Sequence, residues 1–298
     1  MPRPTLTLAV LLAVVLPAAA QTDKKDVDEA VKKQKAAAVE NLKVVKITKP
    51  VLVETDHLLV YSELVEDKLK PIAEAGEKAF ARGFKDLKYG EKDRLWSGKL
   101  TVYVLADRPK EYTPFVKLVE QRGGKLDADE MQLRVLKGDP RVAVTAAPGS
   151  KTAEADLKLE ATTAVTAALV EQKAGGPLPS WLSDGMGKAI AYRTEGNARL
   201  LETHRTKAKG LFTRAKVGTF KVGDIWGEAK PKDVDTLAVS FGEYLVYGAD
   251  AETTGKFLGG FRATEERREP TVGTALEAAG WKADDLDVAW KKWVMGIK

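Results

Sequence analysis

A chain of 298 residues, 44% hydrophobic and 31% charged, can bury a sizeable core, which excludes a disordered or fibrous protein and suits one large domain or two small ones. It contains no cysteine, which removes thiol nucleophiles, Cys-ligated zinc, disulfides and lipid attachment through sulfur. The net charge of +5 arises from basic and acidic residues well mixed along the chain, whereas nucleic-acid binding needs a concentrated basic face.

Residues 1–20 read as a secretory signal peptide. Arg3 gives a basic start, Leu6 to Pro17 is apolar apart from Thr7, and Ala18-Ala19-Ala20 supplies small residues for cleavage. The apolar run is short for a membrane span and no later run is long enough, so no integral membrane segment is expected after cleavage behind Ala20. The expected location is periplasmic or extracellular. Residues 21–49 are rich in Lys, Asp, Glu and Ala and read as a mobile, charged lead-in, or else an exposed helix with Val27, Ala30 and Val31 on one side. Residues 50–298 are expected to fold as a single unit.

Val51 to Ser62 reads as a strand pair turning at Glu54-Thr55-Asp56, with His57 a surface or edge residue at the start of the second strand. Glu66 to Leu87 has helical spacing, and Pro71 suggests that the regular helix starts nearer Lys70. Leu100, Val102 and Val104 alternate as a strand. A helix is expected over Glu111 to Glu120, ended by Gly123-Gly124, and a third strand over Arg141 to Ala146. From Thr152 onward the pattern is helical: Thr152 to Lys173, Leu237 to Tyr247, Ala251 to Phe261, and Asp284 to Met295 with Leu286, Ala289, Trp290, Trp293 and Val294 on one stripe. The order predicts an α+β fold, a small N-terminal sheet with packed helices and then a helical C-terminal half.

The Thr152–Lys173 helix is apolar on two faces, Leu157, Ala161, Ala164, Val165 and Ala168 making one and Leu159, Thr162, Thr166 and Leu169 the other, so it is buried. Thr162 and Thr166 stack one turn apart. Zinc sites of the helix type place two imidazoles at that spacing, with a glutamate beside the first to activate the bound water. In the window Thr162-Thr163-Ala164-Val165-Thr166 all three positions are threonines, whose hydroxyls can bond the preceding turn of backbone.

With Leu178-Pro179-Ser180-Trp181-Leu182-Ser183-Asp184-Gly185 behind that helix, the chain resembles the peptidase MA-like domain family of exported bacterial proteins, which has a gluzincin, thermolysin-like metallopeptidase fold. That segment is similar to the family's L-P-x-W-L-x-E-G. Glu54 to Ser62 and Leu100 to Asp107 resemble its opening strands. Phe241 to Gly248 and Leu286 to Trp293 resemble its closing helices. The resemblance implies that Thr162 and Thr166 stand at the two histidine positions, Thr163 at the catalytic glutamate and Asp184 at the third metal ligand. It therefore implies a degenerate member with neither zinc nor any other cofactor, and no catalytic residue in those places. It also implies that Arg141 to Ala146 is a sheet edge able to pair with extended peptide, with Val142 and Val144 on that strand. Trp181, Tyr192 and Tyr244 could line such a groove, although for Trp181 packing of the scaffold is the favoured role.

The expectation is a non-catalytic, peptidase-like protein that binds peptide or another component of the cell envelope. One alternative is an active hydrolase with a non-standard site around Asp184 and His204; another is a purely structural envelope protein. Ser180, Ser183 and Ser240 lack the G-x-S-x-G setting of a serine hydrolase, and nothing singles out a glycosidase carboxylate pair.

Overall fold

The computed structural model describes residues 24–90, 93, 95–106, 111–112, 115, 140–146, 153–176, 178–194, 197–214, 221–227, 232–264 and 270–296. Residues 1–20, expected to form a signal peptide, and most of the helix expected over Glu111 to Glu120 lie outside them. The fold is mixed α+β: among the described residues a helix precedes a four-stranded sheet, a second helix lies between its second and third strands, and helices follow the fourth.

The sheet is built from β1 (Val51–Glu54), β2 (Leu58–Ser62), β3 (Leu100–Val104) and β4 (Arg141–Val144), in that spatial order. β1 and β2 form an antiparallel hairpin, while β2, β3 and β4 run parallel. The hairpin closes as Thr55 N–H donates to the Leu58 carbonyl (3.0 Å) and Leu58 N–H to the Thr55 hydroxyl (3.1 Å). His57 lies at this turn, stacked on Phe80 with ring centroids 4.1 Å apart and paired with the Glu77 carboxylate.

Every residue of β2 and β3 is buried, because both faces of the sheet are covered. On one face, Leu58, Val60, Leu100, Val102, Val104, Val142 and Val144 pack against α2 (Glu66–Asp86) and α3 (Ala153–Ala174). On the other, Leu59, Tyr61, Tyr103, Leu105 and Ala143 meet α1 (Lys24–Lys43). In place of the mobile lead-in expected over 21–49, the described residues 24–49 form this docked helix and the turn after it: Ala38 and Leu42 on the helix, and Val45 and Ile47 just beyond it, are buried, since the aromatic sheet face needs a cover. Polar clasps fix the docking. The Gln34 amide both donates to the Lys99 carbonyl (2.8 Å) and accepts from Lys99 N–H (3.0 Å), and Asn41 donates to the Tyr103 hydroxyl (3.0 Å).

α2 begins at Glu66, not near Lys70, and holds Pro71 in its second turn. The missing proline N–H leaves out one i→i−4 bond, which Leu69, Ile72, Ala73, Gly76, Ala79, Phe80 and Gly83 outweigh by burial on the same face. Beyond α3 come α4 (Ser180–Ala191), α5 (Ala198–Arg214), a 3-10 turn (Val222–Ile225), α6 (Val234–Tyr247), α7 (Ala251–Gly259), α8 (Val272–Ala279) and α9 (Ala283–Gly296). α4 lies between α3 and α6, and α5 and α9 pack against α6. Among the described residues no helix is long and apolar enough to cross a membrane.

Candidate functional site

The threonine window occupies the middle of α3 and is sealed in the core. Thr162 is 3% exposed, Thr163 6% and Thr166 0%. Thr162 donates its hydroxyl proton to the Leu159 carbonyl (2.8 Å). The Thr166 hydroxyl lies closest to the Gly187 carbonyl of α4 (2.7 Å) and also within reach of the Thr162 and Thr163 carbonyls (2.9 and 3.0 Å). Its one proton therefore stitches two helices together, and two of the three hydroxyls are committed to backbone. The Thr163 hydroxyl is buried with no hydrogen-bond partner among the described residues. A zinc ion needs lone pairs from imidazole, thiolate or carboxylate converging on one open point. Hydroxyls turned into a helix interface do not fit it. Among the described residues no group of three or more His, Asp or Glu is placed to hold a metal ion.

Asp184 lies in the second turn of α4, half-buried. Its neighbours Gly185 and Gly187 have a packing role. A Cβ on Gly185 would come within 2.7 Å of the Ala238 carbonyl oxygen in α6, and one on Gly187 within 3.0 Å of both Ala167 and the Thr163 carbonyl in α3. The Gly185-Met186-Gly187 step lets α4 slot between two backbones. Across the α3–α4 junction, the Glu160 carboxyl is pushed above its ordinary range, first by loss of hydration and then by Asp184 and Asp156, against the pull of Lys188.

A second polar cluster lies farther along. Glu243 on α6 is 2% exposed. Its Oε1 accepts from Arg193, just past the end of α4 (2.7 Å), and from the Nε and Nη2 of Arg205 on α5 (3.0 and 2.7 Å). The Arg193 guanidinium also lies over the Tyr247 ring, 3.5 Å from its centroid. Tyr247 donates to Asp86, which Arg82 pairs with at 2.6 Å. This chain of charges ties α2, α4, α5 and α6 together. Burial, followed by the Asp86 contact, drives the Tyr247 phenol pKa upward. His204, next to Arg205, faces Tyr192 at 5.7 Å between ring centroids, and its Nε2 is buried without a partner among the described residues. Burial lowers its pKa to about 4; Glu243 opposes this, while Lys207, Arg205 and Lys188 add to it. The cluster borders a cavity of about 250 Å³ between α5, α6 and α9, lined by Glu202, Arg205, Thr206, Lys209, Ser240 and Glu243.

The remaining positions picked out in the sequence do not gather in one cleft. Val142 and Val144 point into the core on the α3 side of the sheet. Trp181 packs against Trp226 and Phe241 (centroids 5.3 and 6.4 Å), and Tyr244 against Phe241 and Trp293 (6.3 and 5.9 Å). Tyr192 is half-buried beside His204, its pKa raised by burial and then by Glu160. β4 is an edge strand among the described strands, but the Ala143 carbonyl already accepts from the Tyr112 hydroxyl (3.0 Å). Lys188 acts both on Glu160, which Asp184 also influences, and on His204, which responds in addition to Glu243, Lys207 and Arg205.

Sequence reasoning did not single out Glu243 or its two arginines. The signal was present, since Glu243 is the one charged residue in the stretch Leu237–Tyr247. A lone carboxylate in a buried apolar helix requires a cationic partner.

No family model matches the chain, and no match is found among curated proteins or solved structures.

Proposed function

We propose that this protein is an exported, metallopeptidase-like scaffold that binds peptide or another envelope component without zinc catalysis. The observation that carries the reading is the state of the threonine window. Where the resembled family would need two imidazoles and a carboxylate around an open point, this chain has three buried threonines within a closed helix interface. Asp184 alone is too few ligands for a buried zinc. Extended peptide pairing along β4 would have to displace the Tyr112 bond from Ala143, so that edge is available only after a local rearrangement.

The test is metal analysis of the purified mature protein after dialysis. The expected result is no stoichiometric zinc and no change on Asp184→Ala. One zinc per chain that is lost in the Asp184→Ala variant would sink the reading and restore a hydrolase.

A further inference from the structure

The cavity between α5, α6 and α9 has a charge layout of its own, separate from the threonine window. Glu202, Arg205, Thr206 and Lys209 succeed one another on one face of α5 at i, i+3, i+4 and i+7. Glu202 and Lys209 are therefore two turns apart, about 10 Å along the helix. Both are exposed, and neither has an ion-pair partner among the described residues. Between them the floor is a polar surface with a net single positive charge, two guanidiniums against one carboxylate. The Glu243 carboxylate is held by two guanidiniums. Arg205 spends Nε and Nη2 on it, which leaves Nη1 for an occupant. The Ser240 hydroxyl accepts from Trp290 Nε1–H at 3.3 Å, so its own proton remains to be donated into the cavity.

An acid at one end, a base at the other, and between them the Arg205 guanidinium with the Thr206 and Ser240 hydroxyls complement a short peptide with both ends free. Such a peptide carries an ammonium and a carboxylate, and it spans ~3.3–3.6 Å per residue when extended, so two or three residues bridge the two charges. One amino acid is too short to do so. A simple anion would satisfy Lys209 and leave Glu202 repelling it. The cavity volume of about 250 Å³ favours small side chains.

We propose that this cavity binds di- or tripeptides of small residues, with the ammonium on Glu202 and the carboxylate shared by Lys209 and Arg205. The assignment deepens the peptide-binding reading and rests on it for the natural ligand, but the metal analysis tests a different part of the molecule. The experiment titrates trialanine, N-acetyl-trialanine and trialanine amide into the ¹⁵N-labelled mature protein. The readout is the Trp290 indole N–H resonance, assigned by its shift in Ser240→Ala. Trialanine is expected to move that resonance saturably, and blocking either end to weaken binding about tenfold, the loss of one charge contact. Glu202→Gln should abolish the preference for a free amine only, and Lys209→Met should reduce the preference for a free carboxylate only, the remainder being held by Arg205. Both residues are exposed, so the fold is retained, and the unliganded Trp290 signal checks this. No saturable shift with trialanine, equal binding of the three peptides, or end-group preferences left unchanged by both substitutions would each overturn the proposal, and none of these outcomes touches the zinc result.

Discussion

Glu243 sits on α6 with its carboxylate under two guanidiniums, one just past the end of α4 and one on α5, so its worth lies in what its removal strands. Glu243→Ala leaves Arg193 and Arg205 side by side, each about a fifth exposed, without a counter-charge. The expected cost is about 3 kcal/mol of unfolding free energy, read from urea melts followed by circular dichroism. His204 gives a separate pH signature. In the folded protein it stays neutral down to about pH 4, whereas an unfolded histidine takes up its proton near 6.5. Between those values the unfolded chain binds the extra proton, so stability falls as pH drops from 6.5 to 4 and the loss levels off below. The loss attributable to this group is at most on the order of 3 kcal/mol, and His204→Phe should flatten the profile across that window in pH-dependent thermal melts. At this scale the sequence is legible where spacing decides. The stacking of Thr162 over Thr166 follows from four residues of helix. The destination of the Thr166 proton, the Gly187 carbonyl on the next helix, depends on how two helices approach, and no local pattern encodes that. For the same reason Glu243 is conspicuous in its apolar stretch while its arginine partners are not.

Helix α4 is held closely between α3 and α6 because its inward positions are glycine, and Gly242 on α6 answers it. A Cβ at Gly242 would lie 2.6 Å from both the Gly185 carbonyl carbon and the Met186 nitrogen. Backbone cannot swing aside as a side chain can, so Gly242→Ala should part α4 from α6 and destabilise by about 1–3 kcal/mol or more. Gly255 in α7 makes the contrast: nothing lies within 4 Å of its added Cβ, and Gly255→Ala should stabilise by roughly 0.4–1 kcal/mol. Thermal unfolding of the two variants beside the parent protein checks both signs. Element existence was readable from periodicity in β1, β2, β3, β4, α2, α3 and α6. The start of α2 was not, because local propensity places Pro71 in a first turn while tertiary burial of Leu69 and Ile72 extends the helix upstream to Glu66. In β2 the unbroken apolar run Leu58-Leu59-Val60-Tyr61 already signals a strand covered on both faces.

For the molecule as a whole, that second cover is what the composition of residues 21–49 conceals. From Asp28 to Lys49 the charged side chains are exposed or half-buried, while Val31, Ala38, Leu42, Val45 and Ile47 close the core. Deleting the chain up to Lys49 should expose Leu59, Tyr61, Tyr103 and Leu105 together. The expected outcome is strong binding of a hydrophobic dye and loss of soluble protein, against a well-behaved parent. The same arrangement has a consequence for biogenesis. Ribosomes release polypeptide from the amino end, so α1 emerges before any strand it will lie on. Its seat is complete only once Val144 has been made, because β4 supplies Ala143 to that surface. Until then α1 must wait as an unpaired amphipathic segment, so a helix made before every strand it covers is among the last to be settled.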